Sequence, residues 1–303
     1  MAKKKDGSWW KLGLAIGAIG GFVAWQKTQG DTAARGQFVT DGHKGTAVIT
    51  GASSGIGETY ARHLAKAGYN LVLVARRKEK LKRIASELSL NHGVLVEVAA
   101  ADLATDEGIE RIEETIGKLD DLALLINNAG FGSYGPLIDK GLFKQLDMIH
   151  LHVNATMRLT RAAVTKMLPK RQGAVINVSS IASFFHGANS ANYCSTKAYV
   201  RIFSQAVYEE VKDDGLYVQA LCPGYVYTEF HDSNEYDEFE RSDVPSWLWA
   251  SADEVVAESL NSLGSGKVVL IPGFVNQAIV GLAKVNIEMA DLRKLAKVLT
   301  GKA

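Results

Sequence analysis

Short apolar runs alternate with helical patterns through the central part of the chain, and this alternation constrains the fold more than any other feature. The strand-like runs are residues 47–50, 71–75, 95–99, 122–126, 174–178, 217–221 and 268–271. The helical stretches lie near residues 56–67, 77–90, 106–118, 141–168, 191–212 and 252–263. Continuous β-branched runs are typical of strands buried on both faces, and regular strand–helix alternation implies right-handed crossovers. We therefore predict an α/β fold with a doubly wound parallel sheet of about seven strands.

The charge balance and the cysteine count exclude several classes of protein. The chain has 34 Lys and Arg against 33 Asp and Glu, a net charge of +1, whereas a nucleic-acid-binding domain usually shows a basic excess. Two cysteines, Cys194 and Cys222, cannot form a disulfide framework and lack the spacing of metal ligands. The seven histidines form no metal-ligand grouping in the sequence. We expect no nucleic-acid partner and no metal.

The N-terminal part of the chain differs in character from the rest. Lysines at positions 3–5 precede a largely apolar segment, residues 9–25, which begins and ends with tryptophan and contains Lys11. Basic flanks and interfacial tryptophans are typical of membrane segments, although a full span needs about 20 apolar residues. We predict a membrane anchor in residues 9–25, with a cleaved signal peptide or a soluble tail as alternatives.

The side of the membrane follows from the charges around this segment. The lysines at positions 3–5 would keep the N-terminus cytoplasmic, which would place the main domain across the membrane if the segment spans it. Lys27, Arg35 and Lys44 on the other side weaken that asymmetry. If the segment is re-entrant or interfacial instead, the main domain stays on the cytoplasmic side, and this is the arrangement that we expect for a membrane-associated protein.

A glycine-rich sequence follows the first predicted strand. Residues 50–57 read Thr-Gly-Ala-Ser-Ser-Gly-Ile-Gly. In doubly wound sheets the ligand lies at the carboxyl ends of the strands, near the point where the strand order reverses. Glycines there let the backbone turn sharply and approach a pyrophosphate at the N-terminus of the next helix. This pattern favours a dinucleotide site, although a glycine-rich turn is often only a turn.

The glycine spacing and several further motifs resemble the short-chain dehydrogenase/reductase family over residues 44–272. The further motifs are Asp102-Leu103 after the third strand, Asn127-Asn128-Ala129-Gly130 after the fourth, Pro223-Gly224 after the sixth, and then Val226 and Thr228. The resemblance implies a Rossmann-type domain with a nicotinamide cofactor. It implies cofactor contacts by Gly51, Ser53, Ser54, Gly55, Ile56, Gly57, Asp102, Leu103, Asn128, Ala129, Gly130, Tyr193, Lys197, Pro223, Gly224, Val226 and Thr228.

Three units follow from this organisation. Residues 1–43 comprise the anchor-like segment and a polar linker, and residues 44–273 comprise the Rossmann-type catalytic domain. Residues 274–303 add an apolar stretch and a basic end, which we interpret as an amphipathic helical extension.

The residues after the second predicted strand indicate which cofactor is used. An acidic side chain there would bind the ribose hydroxyls of NAD and repel a 2′-phosphate. Instead Arg76, Arg77 and Lys78 follow that strand. Cations at a helix N-terminus oppose the helix dipole, so they need another reason than solvation. We predict NADP(H), with a charge-assisted bond from Arg76 to the phosphate.

Tyr193 and Lys197 are four residues apart and so share one face of a predicted helix. A nearby ammonium favours the phenolate, so we expect it to lower the pKa of Tyr193. Within the resemblance, Ser180 matches the catalytic serine, with Ser179 as the alternative, and Asn154 matches the asparagine that helps carry a water chain to the lysine. These residues form the predicted catalytic set Asn154, Ser180, Tyr193 and Lys197.

Aromatic side chains are dense in the loops that build the substrate walls of this fold. They are Phe131, Tyr134, Phe184, Phe185, Tyr225, Tyr227 and Phe230. Such density predicts an apolar pocket for a small hydrophobic carbonyl or alcohol, such as a 3-oxoacyl chain, a lipid or a steroid. Alternatively, several of these rings pack beneath the loops. The resemblance also implies a homodimer through the helices near 141–168 and 191–212.

The predicted function is NADP(H)-dependent reduction of a ketone, or oxidation of a secondary alcohol, on a hydrophobic substrate. Tyr193 would donate a proton to the carbonyl oxygen, and Ser180 would stabilise the charge that develops on it. One alternative is an alcohol dehydrogenase that runs oxidatively on a small substrate. Another is a catalytically silent membrane scaffold that senses NADPH, which an incomplete catalytic set would favour.

Overall fold

The computed structural model describes residues 45–232 and 241–283. The strands are β1 (Thr46–Thr50), β2 (Asn70–Ala75), β3 (Val96–Ala100), β4 (Leu122–Asn127), β5 (Gly173–Val178), β6 (Leu216–Leu221), β7 (Tyr225–Val226), β8 (Trp249–Ala250) and β9 (Val269–Leu270). Seven of them form one sheet in the order β3-β2-β1-β4-β5-β6-β9, and every pair in it is parallel. The predicted doubly wound sheet of seven strands is confirmed.

Helices connect these strands and cover the sheet. They are α1 (Gly55–Lys66), α2 (Lys78–His92), α3 (Asp106–Lys118), α4 (Leu142–Ile149), α5 (Thr156–Met167), α6 (Ala191–Val211), α7 (Ala252–Asn261) and α8 (Phe274–Ala283). Local sequence sets several of their starts. The Thr105 side chain accepts a hydrogen bond from the Gly108 N–H at the start of α3, and Ser251 forms a capping box with Glu254 at the start of α7.

The central strands of the sheet are buried on both faces because helices pack on both sides, whereas the edge strand β3 is partly exposed. On one face Ile49 of β1 lies in a cluster with residues of α1, α2 and α7. On the other face the neighbouring Val48 lies in a cluster with residues of α3 and α5. Neither side chain is exposed to solvent. This two-sided burial explains why the strands appear in the sequence as continuous apolar runs rather than as alternating ones.

The strand order reverses between β1 and β4, which lie side by side at the centre of the sheet. From β1 the chain moves outward to β2 and β3, and from β4 it moves the other way to β5, β6 and β9. The loops that leave the carboxyl ends of β1 and β4 therefore diverge and open a crevice between them. The glycine-rich turn after β1 and the loop after β4 border this crevice.

Two features differ from the sequence-based prediction. The single helix expected over residues 141–168 is divided, because a π-helical segment, His150–Ala155, separates α4 from α5. A π-helical turn accommodates an additional residue and is frequent at functional sites. In addition, β7 pairs with β8 in a small two-stranded sheet that the sequence did not predict.

The predicted membrane anchor at residues 9–25 and the linker at 28–43 lie outside the described residues, as does most of the C-terminal extension. Within residues 45–232 and 241–283, no helix combines the length and the apolar character needed to cross a membrane. The apolar part of the predicted extension begins with α8, which packs Val280 against Cys222 and Ile271.

Candidate active site

The turn after β1 approaches its neighbours too closely for side chains. Gly51 has a φ of 66°, in the left-handed region. A Cβ atom on Gly57 would lie 2.4 Å from the Gly51 carbonyl oxygen and 2.5 Å from the Asn128 side chain. The turn therefore leaves a cradle of bare backbone at the N-terminus of α1. Backbone N–H groups in the first turn of a helix attract anions.

Asn128, one of the predicted cofactor contacts, fastens this turn to the end of β4. Its side-chain amide donates to the Thr50 carbonyl oxygen at 3.0 Å. The Thr50 hydroxyl in turn accepts from the backbone N–H groups of Asn128, at 2.9 Å, and of Ala129, at 3.0 Å. These three bonds fix the spacing of the β1 and β4 loops across the crevice.

Of the two arginines after β2, Arg77 contacts the glycine-rich turn. Its guanidinium donates to the hydroxyl groups of Ser53, at 3.0 Å, and Ser54, at 2.6 Å. The predicted selecting residue, Arg76, has a side chain that is 71% exposed and lies 3.9 Å from the Asp102 carboxylate. Both arginines border the crevice, and the sequence reasoning missed the contacts of Arg77.

The Glu229 carboxylate forms ion pairs with cations beside the glycine-rich turn. Glu229 accepts hydrogen bonds from Arg77 at 2.8 Å and from Lys80 at 2.7 Å. Those bonds, Lys80 first, lower the pKa of Glu229 to about 2. The sequence carried a weak signal for Lys80, which lies one helical turn after Arg77. The sequence carried no signal for Glu229, because Glu229 is far from α2 in the chain and lies close to it only in the folded structure.

Further predicted cofactor contacts lie beyond β3 and over the turn after β1. Asp102 accepts the Ala104 N–H at 3.0 Å, and Leu103 is buried in the core, so this pair shapes the floor beyond β3. On the opposite side, Thr228 lies over Gly55, with its Cβ 3.0 Å from where a Cβ on Gly55 would be. The remaining residues are the turn residue Ile56, the loop residue Gly130, and Pro223, Gly224 and Val226 after β6.

Three of the predicted catalytic residues meet at the carboxyl edge of the sheet. Ser180 follows β5, and Tyr193 and Lys197 lie on α6. The Lys197 ammonium donates to the Val178 carbonyl oxygen at 2.9 Å and lies 5.9 Å from the centre of the Tyr193 ring. The Tyr193 hydroxyl is hydrogen-bonded to Ser180. The alternative, Ser179, is buried and donates to the Lys197 carbonyl oxygen at 2.7 Å, which gives it a structural role instead.

Burial governs the ionisation of the catalytic pair. Burial raises the pKa of Tyr193 above its ordinary value, and the hydrogen bond with Ser180 only partly offsets this effect. The expectation that Lys197 lowers the pKa of Tyr193 is therefore not met, because the ammonium is directed at Val178 and desolvation dominates. Burial also lowers the pKa of Lys197 to about 8.

The fourth predicted catalytic residue, Asn154, lies in the π-helical segment before α5, and its catalytic role stays a prediction. Its amide contacts the His150 ring at 3.1 Å, and the His150 ring lies 3.4 Å from Asp106 at the start of α3. His152, in the same π-helical segment, lies close to Lys197, since both side chains approach Gly130. The sequence reasoning missed His152, for which the only signal was a histidine within an apolar helical stretch.

The aromatic side chains do not all line the site. Phe230 lies 6.1 Å from Tyr193 and Phe131 lies 6.0 Å from His152, measured between ring centres. Phe184 and Phe185 instead pack against a buried cluster below the loop. The other three are Tyr134, which is partly buried, and Tyr225 and Tyr227, which contact Trp249.

A recess on another side of Tyr193 is lined mainly by polar groups. Gln145 donates to the Ser133 hydroxyl at 3.2 Å, and both side chains are buried. Asn192 donates to the Gln145 side chain at 3.0 Å. The wall beside Tyr193 is therefore mixed, with rings on one part and amide and hydroxyl groups on another.

The sequence of this chain matches the short-chain dehydrogenase family over residues 45–238. It is 34% identical to a very-long-chain 3-oxoacyl-CoA reductase of Anas platyrhynchos over 222 residues, 71% of this chain and 68% of the relative. It is 33% identical to the human 17-beta-hydroxysteroid dehydrogenase type 3 over 224 residues, 73% of this chain and 68% of the relative. Its fold is similar to that of a short-chain dehydrogenase from Sphingobium yanoikuyae in complex with NADPH, with a TM-score of 0.71, 31% identity, and coverage of 81% and 97% of the two chains.

The fold and the site define an α/β oxidoreductase. The chain belongs to the short-chain dehydrogenase/reductase family.

Proposed function

We propose that this enzyme uses NADP(H) to reduce a ketone on a hydrophobic substrate, or to oxidise the corresponding secondary alcohol. One observation carries the proposal. Ser180, Tyr193 and Lys197 meet at the same sheet edge as a bare-backbone turn bordered by Arg77. A dinucleotide and a carbonyl group held at this edge would both reach the Tyr193 hydroxyl.

The residues present fit such a cofactor. The cradle at Gly51 and Gly57 excludes side chains and so admits a pyrophosphate. Arg77, with Arg76 nearby, supplies planar cations suited to a phosphate monoester. The remaining contacts would come from the residues that the motifs indicate, including Asp102, Gly130 and Thr228. When bound, NADPH supplies a hydride.

The catalytic residues of this chain would carry out the proton transfer to the substrate oxygen. Because the pKa of Tyr193 is raised, its hydroxyl stays protonated at neutral pH and acts as a proton donor to a carbonyl oxygen. The Ser180 hydroxyl is hydrogen-bonded to Tyr193 and is thus placed to bind that same oxygen. The Lys197 ammonium lies 5.9 Å from the Tyr193 ring centre and would have to turn from the Val178 carbonyl oxygen to stabilise the phenolate left behind. A protonated Tyr193 is the form that the reductive direction requires.

Replacing Arg76 and Arg77 together by alanine is expected to weaken NADPH binding about 100-fold, since each lost charge-assisted bond costs about 1.5 kcal/mol or more. NADH binding should change by less than about threefold, because the cations are proposed to contact the 2′-phosphate. Fluorescence titration of the two cofactors measures both constants, and the single variants divide the effect between the two arginines.

Arg83→Ala is the matched control, since Arg83 lies on α2 and is exposed. Its cofactor affinities should equal those of the wild type. An equal loss of NADH and NADPH affinity in the double variant would contradict cofactor selection by these residues.

The proposed substrate is a hydrophobic ketone such as a 3-oxoacyl thioester or a ketosteroid. The rings of Phe131 and Phe230 near the catalytic residues support this class. The names of two relatives, a 3-oxoacyl-CoA reductase and a hydroxysteroid dehydrogenase, also support it. Because Phe184 and Phe185 pack against the buried cluster below the loop, the apolar wall is smaller than the sequence predicts.

Oxidation of NADPH with a panel of 3-oxoacyl thioesters, ketosteroids and small diketones tests this substrate class. We expect kcat/KM for the best long-chain or steroid ketone to exceed that for a small diketone by at least about tenfold, since each buried methylene contributes about 0.8 kcal/mol. A preference for small alcohols, with NADP⁺ as the oxidant, would instead favour the oxidative alcohol dehydrogenase.

The predicted homodimer gains support from exposed apolar side chains on the two helices that the resemblance implicates. On α4 these include Leu142, 68% exposed, and Phe143, 82% exposed, and on α6 they include Ile202, 57% exposed. Exposed apolar patches of this kind mark interaction surfaces. Membrane attachment through residues 9–25, with the catalytic domain on the cytoplasmic face, stays a prediction from the sequence.

A further inference from the structure

His152 is an enclosed titratable group beside the catalytic pair. It lies in the π-helical segment between α4 and α5, and 1% of its surface is exposed. Its ring meets the Tyr193 ring edge to face, with 6.1 Å between centres. A Cβ atom on Gly130 would lie 2.8 Å from Nε2 of His152 and 3.5 Å from the Lys197 ammonium, so both groups flank the same glycine.

The hydrogen bonds of the ring define its tautomer. The Phe131 backbone N–H donates to Nε2 at 3.2 Å, so Nε2 is the acceptor and carries no proton. The proton of the neutral ring is therefore on Nδ1, which lies 3.0 Å from the Thr196 hydroxyl and donates to it. The Thr196 hydroxyl donates onward to the Tyr193 carbonyl oxygen at 3.0 Å. One chain of bonds thus links the loop after β4 to the first turns of α6.

The surroundings keep this ring neutral. Burial, followed by the charge of Lys197, lowers the pKa of His152 well below its ordinary value. A proton on Nε2 would also face the Phe131 N–H, donor against donor. The titratable groups that face the ring are Tyr193 and Lys197, both from α6, whereas the loop after β4 presents backbone.

We propose that His152 is a positioning residue for the reaction: its neutral imidazole holds the loop after β4 against the start of α6 and so sets where Tyr193 and Lys197 stand relative to the cofactor crevice. The role rests on the proposed function of that crevice. It goes beyond the predicted catalytic set, because no motif of the sequence marks His152.

Three substitutions separate the two bonds of the ring. Asn places its amide nitrogen where Nδ1 lies and keeps the Thr196 bond, whereas Gln places its amide oxygen near the position of Nε2 and keeps the Phe131 bond. His152→Leu removes both. We expect His152→Leu to lower kcat about 100-fold, the effect of a misplacement of about 1 Å, with a smaller change in KM. His152→Asn should recover most of that loss and His152→Gln less, because the Thr196 bond leads directly to Tyr193.

The matched control is His150→Asn, the same replacement two residues earlier on the opposite side of the segment. It should keep kcat within about twofold of wild type. Rates are expressed per folded, NADPH-binding molecule. A variant that loses total activity only because part of it is unfolded would therefore show the wild-type kcat. A His152→Leu enzyme with wild-type kcat, or a His150→Asn enzyme with an equal loss, would overturn the proposal.

Two readouts do not depend on finding a substrate. Nitrogen NMR of the His152 ring should show Nδ1 protonated and Nε2 unprotonated from pH 6 to 9, and a ring charged near neutral pH would overturn the proposal. Hydrogen exchange at the Phe131 amide should accelerate in His152→Leu and His152→Asn but not in His152→Gln. If no ketone is reduced while both results hold, then the proposed function fails and the bridging role of His152 stands.

Discussion

Tyr193→Phe is expected to lower kcat for ketone reduction by at least about 10³-fold, while NADPH still binds. The change removes only the hydroxyl group, which is the proposed proton donor, and general acid catalysis contributes about 10² to 10⁴ in rate. The ring contacts to His152 and Phe230 involve the aromatic face and edge, so they persist in the variant. The reduction rate and NADPH fluorescence together measure the two outcomes.

Tyr199→Phe provides the control. Tyr199 lies on the same helix, is 38% exposed, and stacks on Phe203 with 5.6 Å between ring centres. Its variant should turn over at the wild-type rate. If Tyr193→Phe keeps more than a tenth of wild-type activity, another group donates the proton and the assignment of Tyr193 is wrong.

Lys197→Met is expected to abolish efficient turnover and, at the same time, to make the protein more stable at neutral pH. Burial lowers the pKa of Lys197 from 10.5 to about 8, which corresponds to about 3 kcal/mol of unfavourable charge burial. Methionine keeps the volume and removes the charge. The lost hydrogen bond to Val178 offsets about 1 kcal/mol of the gain. The remaining stabilisation should raise Tm by about 4 °C.

The pH dependence of this gain has a definite sign. Below pH 8 the lysine is charged in both the folded and the unfolded chain, so the full cost of burying it is present. Between about pH 8 and pH 10.5 the unfolded chain holds a proton that the folded one has released, so wild-type stability rises with pH relative to the variant. The Tm advantage of Lys197→Met should therefore be largest below pH 8 and shrink toward pH 10.

Melting curves of both proteins between pH 6 and 10 measure this difference. Lys118→Met is the control, because the Lys118 side chain is 80% exposed and its loss should shift Tm little at any pH. A Tm advantage that grows with pH would show that Lys197 is not buried as a charge, and it would remove the basis for its role beside Tyr193.

The sequence was sufficient for the central sheet because the physical signal there is strong. Val48 and Ile49 point to opposite faces of β1 and are both fully buried, so the strand is apolar at each position between its terminal threonines. The division of the helix at His150–Ala155 could not be predicted in the same way. One additional residue in a helical turn barely changes the apolar pattern on either side, although it changes the direction of the side chains within it.

Site residues could be predicted where the chemistry requires a fixed spacing in the sequence. They could not be predicted where only tertiary packing brings them together. Tyr193 and Lys197 are tied by the helical repeat, and Ser180 follows a strand end, so all three could be placed from the sequence. Asn154 was placed by its match to the family's asparagine, and its role stays a prediction, whereas no motif marks His152 two residues earlier. The contacts of Arg77 with Glu229 join positions far apart in the chain, and no local pattern records them.

The last helix has a consequence for anyone who shortens this protein. Asn276 of α8 lies against Gly224, so closely that its oxygen would be 2.3 Å from a Cβ there, and its amide donates to the Pro272 carbonyl oxygen at 2.8 Å. Gly224 belongs to the turn after β6 that borders the crevice. A chain truncated directly after β9 would thus keep the sheet but lose Asn276, which packs against the turn at Gly224 on one side of the crevice. A shortened enzyme should therefore retain α8 at least through Val280, which packs against Cys222 and Ile271.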